Sequence, residues 1–224
     1  MSQGKTLRLD VAGKGRDLTI TEAVIAGWTG RDAAALEKHI KELEALGVKR
    51  PASTPIFYRV AAARLTQAPA IEATGGASSG EVEFVLLRSG GALFVGVGSD
   101  HTDREVEAYG VTVSKQMCDK PIAPALWTYD EVKPHWDKLM LRSWILEGGA
   151  RALYQEGPVT AMRAPEDLIG RYGELREGAA MFCGTLAAKG GVRPAARFEF
   201  ELDDPVLGRA IRHGYDIHTL PVLG

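Results

Sequence analysis

Gly80-Glu81-Val82-Glu83-Phe84-Val85-Leu86-Leu87 is the stretch on which the reading of this chain turns. Two carboxylates stand at i and i+2 at the head of an apolar run. In a strand, alternate side chains share a face, so Glu81 and Glu83 point the same way. Gly90-Gly91 follows, and Ala92 to Gly98 is a second apolar run, so the pattern predicts strands over 81 to 87 and 92 to 98 joined as a hairpin. Such a hairpin sets residues near 98 to 100 beside residues near 81 to 83.

Outward from this hairpin the pattern stays β. Strands are predicted at 138 to 147 and 150 to 155, joined at Gly148-Gly149, and at 179 to 183 and 196 to 202. In the last, Phe198, Phe200 and Leu202 alternate with Arg197, Glu199 and Glu201. Helical pieces in this region read as short and few: Thr128 to Lys133, with Thr128 and Glu131 as a capping box, and Pro165 to Tyr172, opened by its proline. Toward the N-terminus, Leu7, Leu9, Val11, Leu18 and Ile20 alternate around Gly13 and Gly15 as a small hairpin. One amphipathic helix follows over about 30 to 46, with Thr29 and Asp32 as its capping box and Gly47 as its stop. The Gly/Ser-rich loop 75 to 80 leads into the carboxylate strand. The expected organisation is a small α/β N-terminal lobe over residues 1 to 50 and a main body over 51 to 224. The fold class is α+β, mostly β, a mixed β-roll or barrel-like arrangement.

Composition bounds the function. The chain has 224 residues, 45% hydrophobic and 25% charged, which is enough for one sizeable core and excludes disorder. Twenty-seven Lys and Arg against 29 Asp and Glu give a net charge of −2, so no basic field points to nucleic acid or an anionic membrane. No apolar run approaches the roughly 18 residues of a membrane span. The N-terminus shows no secretory pattern, and Cys118 and Cys183 form no CxxC pair, so a cytoplasmic protein with free thiols is expected. His213 and His218, five apart with no thiolate nearby, do not make a zinc site. Gly96-Val97-Gly98 lacks the third glycine of a dinucleotide fingerprint.

The chemistry concentrates at the hairpin. Two carboxylates on one face repel unless they are solvated, share a proton or hold a cation. Hard divalent cations prefer carboxylate oxygens, and Asp100, at the end of the second strand, can complete a three-carboxylate site with Glu81 and Glu83.

These residues resemble the fumarylacetoacetate hydrolase superfamily, in which a Glu-x-Glu strand and an Asp-x-Thr-x-Arg-Asp segment bind the metal. Here the two read Glu81-Val82-Glu83 and Asp100-His101-Thr102-Asp103-Arg104-Glu105. The resemblance continues in order through Val113-Ser114-Lys115, Pro124-Ala125-Leu126-Trp127, Leu139 to Trp144, and the loop Cys183-Gly184-Thr185-Leu186-Ala187-Ala188-Lys189-Gly190-Gly191. It spans about residues 51 to 203 and looks closest to an uncharacterised bacterial branch. Departures are Glu107 where many relatives have Gln, Leu186 for the Pro of a Gly-Thr-Pro loop, and Ser78, Ser79 and Gly80 where hydrolytic members place a His before the first glutamate.

The resemblance implies a divalent-metal-dependent homodimeric enzyme on a β-roll, acting on a small carboxylate substrate, a 2-oxo or 1,3-diketo acid, by C–C cleavage, decarboxylation, hydration or tautomerisation. Glu81, Glu83 and Asp100 would hold Mg²⁺ or Mn²⁺. Arg104 would clamp the substrate carboxylate, and Lys115 would serve the developing enolate, with Lys120 as an alternative holder of that role. Thr185 and its loop's N–H groups would hold a carboxylate or oxyanion. His101 reads as a satisfied or exposed histidine. The alternative is an inactive protein of the same fold that senses or binds a small dicarboxylate.

Overall fold

Alternation dictates the first hairpin: Leu7, Leu9 and Val11 are buried while Thr6, Arg8 and Asp10 are exposed, and β1 (Lys5–Val11) turns into β2 (Lys14–Ile20). The computed structural model describes residues 4–45 and 50–223. After β3 (Glu22–Gly27) comes α1 (Ala33–Ala45). Its cap is Asp32, whose carboxylate accepts the Ala34 N–H at 2.9 Å. The helix thus starts three residues later than a Thr29 cap would place it, because Thr29 is buried at 4% exposure. The expected stop at Gly47 lies outside the described residues.

The middle of the chain contains β4 (Ile56–Val60), β5 (Leu65–Thr66), β6 (Ala70–Thr74), β7 (Ser78–Ser79), β8 (Val82–Ser89), β9 (Ala92–Ser99) and β10 (Thr102–Asp103). Two short helices follow, α2 (Arg104–Tyr109) and α3 (Val111–Met117). Then come β11 (Lys120–Pro121), β12 (Ala125–Thr128) and α4 (Tyr129–Val132), whose Thr128 cap makes no side-chain bond. The remainder is β13 (Met140–Glu147), β14 (Ala150–Pro158), α5 (Pro165–Tyr172), β15 (Ala179–Phe182), β16 (Arg197–Asp204) and β17 (Arg209–Leu220).

These strands build an eight-stranded sheet in the order β2-β1-β12-β9-β8-β15-β3-β4 and a five-stranded sheet in the order β14-β13-β16-β17-β6. The segment expected as an N-terminal lobe lies within the larger sheet: β1 runs parallel to β12, and β3 parallel to β15. The fold is mostly β, a curled sheet covered by a second one, in keeping with the rolled architecture the pattern implied.

Strand β8 explains the layering, because both of its faces are buried. Phe84 and Leu86 join Phe198, Phe200, Leu202 and Tyr215 in a core between the sheets. Val85 and Leu87 join Leu9, Ile25, Leu126 and Phe182 inside the curl. Each such aromatic or aliphatic side chain contributes roughly 1.5–3 kcal/mol of burial. By the same alternation Glu81 and Glu83 continue the row of Val85 and Leu87, so the carboxylates stand at one end of the curl's interior. Gly98 of β9 belongs to this packing: a Cβ there would lie 2.6 Å from the Phe182 ring and 2.8 Å from the Pro121 carbonyl. Among the described residues no helix is long and apolar enough to cross a membrane.

Candidate metal centre and its pocket

The β8–β9 turn at Gly90-Gly91 has φ of 59° and 75°, values that glycine adopts without strain. It fixes a register in which Val82 faces Ser99 and Glu83 faces Gly98. One further bond, Asp100 N–H to the Glu81 carbonyl at 3.0 Å, carries Asp100 alongside Glu81. Carboxylate oxygens of Glu81, Glu83 and Asp100 lie within 4.8 Å of one another. Glu83 and Asp100 are buried at 2% and 0% exposure, and Glu81 beside them is partly exposed.

Electrostatics there pull in opposite directions. Burial, together with the charges of Asp100 and Glu81, pushes the Glu83 carboxyl well above the usual carboxylate range. Burial raises Glu81 as well, against the opposing Arg104. Burial would raise Asp100 too, but the ammonium groups of Lys115 and Lys120 overcome it and hold Asp100 down at about 2. Lys115 Nζ donates to Asp100 Oδ2. Lys120 Nζ donates to the His101 carbonyl at 2.5 Å and stands 3.1 Å from Asp100 Oδ1. Apart from that ion pair, Asp100 Oδ1 is buried and accepts no hydrogen bond.

This donor set fits a hard divalent ion. It is all oxygen and all carboxylate, and the like charge that Asp100 and Glu81 add to burial at Glu83 is what a cation would relieve.

Arg104 begins α2, which Asp103 caps by accepting the Val106 N–H at 2.9 Å. Its guanidinium donates to Ser79 Oγ at 2.7 Å and to Glu107 at 2.9 Å, and lies 3.2 Å from Glu81. Arg104 therefore stands in the pocket beside the acids. Lys115 projects from α3 under the Tyr58 ring, 5.9 Å from its centroid. The loop after β15 completes the site: Gly184 N–H donates to Glu83 Oε2 at 2.8 Å. The Thr185 hydroxyl donates to the Val82 carbonyl at 2.7 Å, so the proton expected for an anion is directed into the frame. His101 is fully buried, with Nδ1 2.9 Å from the Tyr215 hydroxyl and Nε2 2.9 Å from Ser78 Oγ. Burial, then Lys120 and Arg104, lower it to about 3, so it is a neutral structural ring.

Two features escaped the sequence reading. Gln155 of β14 is a hub at 1% exposure. Its carbonyl oxygen accepts from Val82 N–H at 3.0 Å and Ser143 Oγ at 2.9 Å, and its amide donates to Thr185 Oγ1 at 2.8 Å and the Leu186 carbonyl at 2.6 Å. Nothing local marks it, since Val82 lies 73 positions away. The second is Trp28, which with Tyr58 walls a cavity of about 800 Å³ above the acids. His213 and His218 lie on β17, where an odd spacing sends them to opposite faces.

A family model described as a protein of unknown function (DUF2848) matches residues 26–215. No curated protein matches the sequence. Among solved structures, the chain is similar to a candidate fumarylpyruvate hydrolase from Burkholderia cenocepacia at 17% identity and TM-score 0.68, over 99% of this chain and 98% of that one. It is also similar to 2-keto-3-deoxyarabinonate dehydratase at 17% identity and TM-score 0.63, over 90% of this chain and 75% of that one. A complex of 2-keto-3-deoxy-D-arabinonate dehydratase with magnesium and 2,5-dioxopentanoate superposes at 18% identity and TM-score 0.63, over 93% and 77%. The likeness to these hydrolase and dehydratase structures is one of fold, and it is the fold that the fumarylacetoacetate hydrolase resemblance implied.

Proposed function

The chain belongs to the DUF2848 family, and from that premise we propose that it is a divalent-metal-dependent enzyme acting on a small 2-oxo or 1,3-diketo acid. The observation that carries this reading is the meeting of Glu81, Glu83 and Asp100 within 4.8 Å on the floor of the cavity. That a dehydratase of the same fold was captured with magnesium and an oxo acid supports it.

Glu81, Glu83 and Asp100 would hold Mg²⁺ or Mn²⁺. When bound, such an ion supplies Lewis-acid polarisation of the 2-oxo group. Arg104, held by Glu81 and Glu107, offers its guanidinium to the substrate carboxylate as a charge-assisted fork. Burial alone would lower Lys115, but Asp100 and Glu81 outweigh it and hold its ammonium above the ordinary lysine range. Lys115 thus stays a charged hydrogen-bond donor for a developing oxyanion, not a base at neutral pH. Gly184 and Thr185 keep Glu83 and the start of β8 in place through their bonds to Glu83 and Val82. No histidine is among the described residues lining the cavity. Decarboxylation, hydration and tautomerisation, which ask less of a water-activating His-Glu dyad than C–C hydrolysis does, are the reactions this set favours.

The test is a thermal-shift titration with Mg²⁺ or Mn²⁺, with and without oxalate, on wild type and on Glu81→Ala/Glu83→Ala. Metal should raise the midpoint, oxalate should add to the rise, and the double variant should respond to neither. A folded wild type indifferent to both would refute the reading.

A further inference from the structure

The cavity above the acids is larger than the head of a 2-oxo acid requires, and its walls differ from its floor. Its volume is about 800 Å³, against roughly 30 Å³ for one water. Among the described residues, every charged one that lines it lies between positions 81 and 115: Glu81, Glu83, Asp100, Arg104, Glu107 and Lys115. Both cations among them stand at the acidic end, Arg104 paired with Glu81 and Glu107 and Lys115 with Asp100, where they serve the reacting head of the substrate. The walls are apolar bodies from elsewhere in the chain, notably Trp28, Leu36, Tyr58, Val111, Leu186 and Val192.

The aromatic wall is tied to the reacting end. Trp28 has φ of 57°, an outlier for a bulky residue, and strain of this kind gathers at ligand sites. Its side chain hydrogen-bonds Tyr58, whose ring in turn covers the Lys115 ammonium at 5.9 Å. Gly27, where a Cβ would lie 3.0 Å from Tyr58 Cε2, leaves the ring its place. Trp28 and Tyr58 thus form an aromatic surface that adjoins the charged end of the cavity at Lys115.

We propose that the substrate is a monocarboxylate: a 2-oxo acid whose only carboxylate is at the reacting end and whose tail is apolar and about the size of an aromatic ring. This rests on the metal-enzyme reading above and goes beyond it in naming the tail. A second carboxylate on the tail would leave water for walls that, among the described residues, offer it no cation beyond those at the acidic end. An apolar tail instead exchanges water for the Trp28 and Tyr58 rings.

Two probes share an oxamate head and differ in the tail: N-phenyloxamate, a monoanion, and N-oxalylglycine, which carries a second carboxylate. Titration calorimetry with the full chain in saturating Mg²⁺, with oxalate as the head-only control, should show N-phenyloxamate binding at least tenfold tighter than N-oxalylglycine. Val192→Lys, a change at a residue 54% exposed, should tighten N-oxalylglycine at least fivefold and leave oxalate unchanged. If oxalate binds with metal but N-oxalylglycine binds as well as N-phenyloxamate or better, the tail assignment is overturned and the metal-enzyme reading stands. If neither oxalate nor either oxamate binds, that reading fails and this inference falls with it.

Discussion

Gly184 is pressed against Thr29: a Cβ on the glycine would stand 1.8 Å from the threonine hydroxyl oxygen. The same glycine has φ of 93° and gives its N–H to Glu83. The approach ties the site loop after β15 to the segment between β3 and α1, which is why Thr29 is buried instead of capping the helix. Gly184→Ala should therefore cost about 2–4 kcal/mol, from backbone strain and forced separation together. It should also weaken metal binding, since Glu83 loses its anchor. Urea unfolding and a Mg²⁺ titration of the variant check both effects.

Glu83 should be a residue whose neutralisation helps the metal-free protein. Its buried carboxyl sits among the charges of Asp100 and Glu81, and Gln in its place keeps an acceptor for the Gly184 N–H. Glu83→Gln is expected to raise the thermal midpoint in EDTA by about 2–4 °C, the equivalent of about 1 kcal/mol. It should also abolish the rise produced by Mg²⁺. A lower midpoint in EDTA would contradict the account of repulsion at this corner.

Gln155 holds three separate parts of the site frame at once. Gln155→Leu leaves the Val82 N–H and the Thr185 and Leu186 oxygens without their buried partner. The expected loss is about 2–4 kcal/mol in chemical denaturation, more than one exposed hydrogen bond would give.

The carboxylate corner was legible because it depends on a hairpin: Gly90-Gly91 sets the turn, the turn sets the register, and the register carries Asp100 to Glu81. The alternation of Phe198, Phe200 and Leu202 likewise announced a strand with one face in the core. Glu201, on the other face, is nevertheless buried, because Arg142 and Arg212 cover it from neighbouring strands. Helices α2 and α3 were not legible, since Val111-Thr112-Val113 favours a strand locally and tertiary packing against the site overrides it. Strand β17 was obscured by Gly214 and by a polar row that pairs across to β16. Trp28 was invisible for a different reason: a positive φ at a bulky residue has no sequence signature.

Asp204 gives a pH dependence remote from the site. It is fully buried at the β16–β17 turn and accepts bonds from His135, Arg209 and the Val206 and Leu207 N–H groups. Burial would raise its carboxyl, but those bonds outweigh it and the net shift is downward. A carboxyl lower in the folded state contributes stability that is present above its unfolded value near 3.9 and lost as pH falls through the folded value. Asp204→Asn should cost about 1–3 kcal/mol at pH 7. The gap to wild type should shrink as pH falls through the unfolded value near 3.9 and below it. Urea midpoints of both proteins across that range measure it, and a constant gap would count against the assignment.

The most direct test of the metal centre is to titrate Mn²⁺ into the protein and follow the free-ion signal by electron paramagnetic resonance. The account predicts one Mn²⁺ taken up per chain, a change in the bound-ion spectrum when oxalate is added, and no uptake by Asp100→Asn/Glu83→Gln. Uptake that the double variant retains, or none by the wild type, would contradict the claim that Glu81, Glu83 and Asp100 hold the ion.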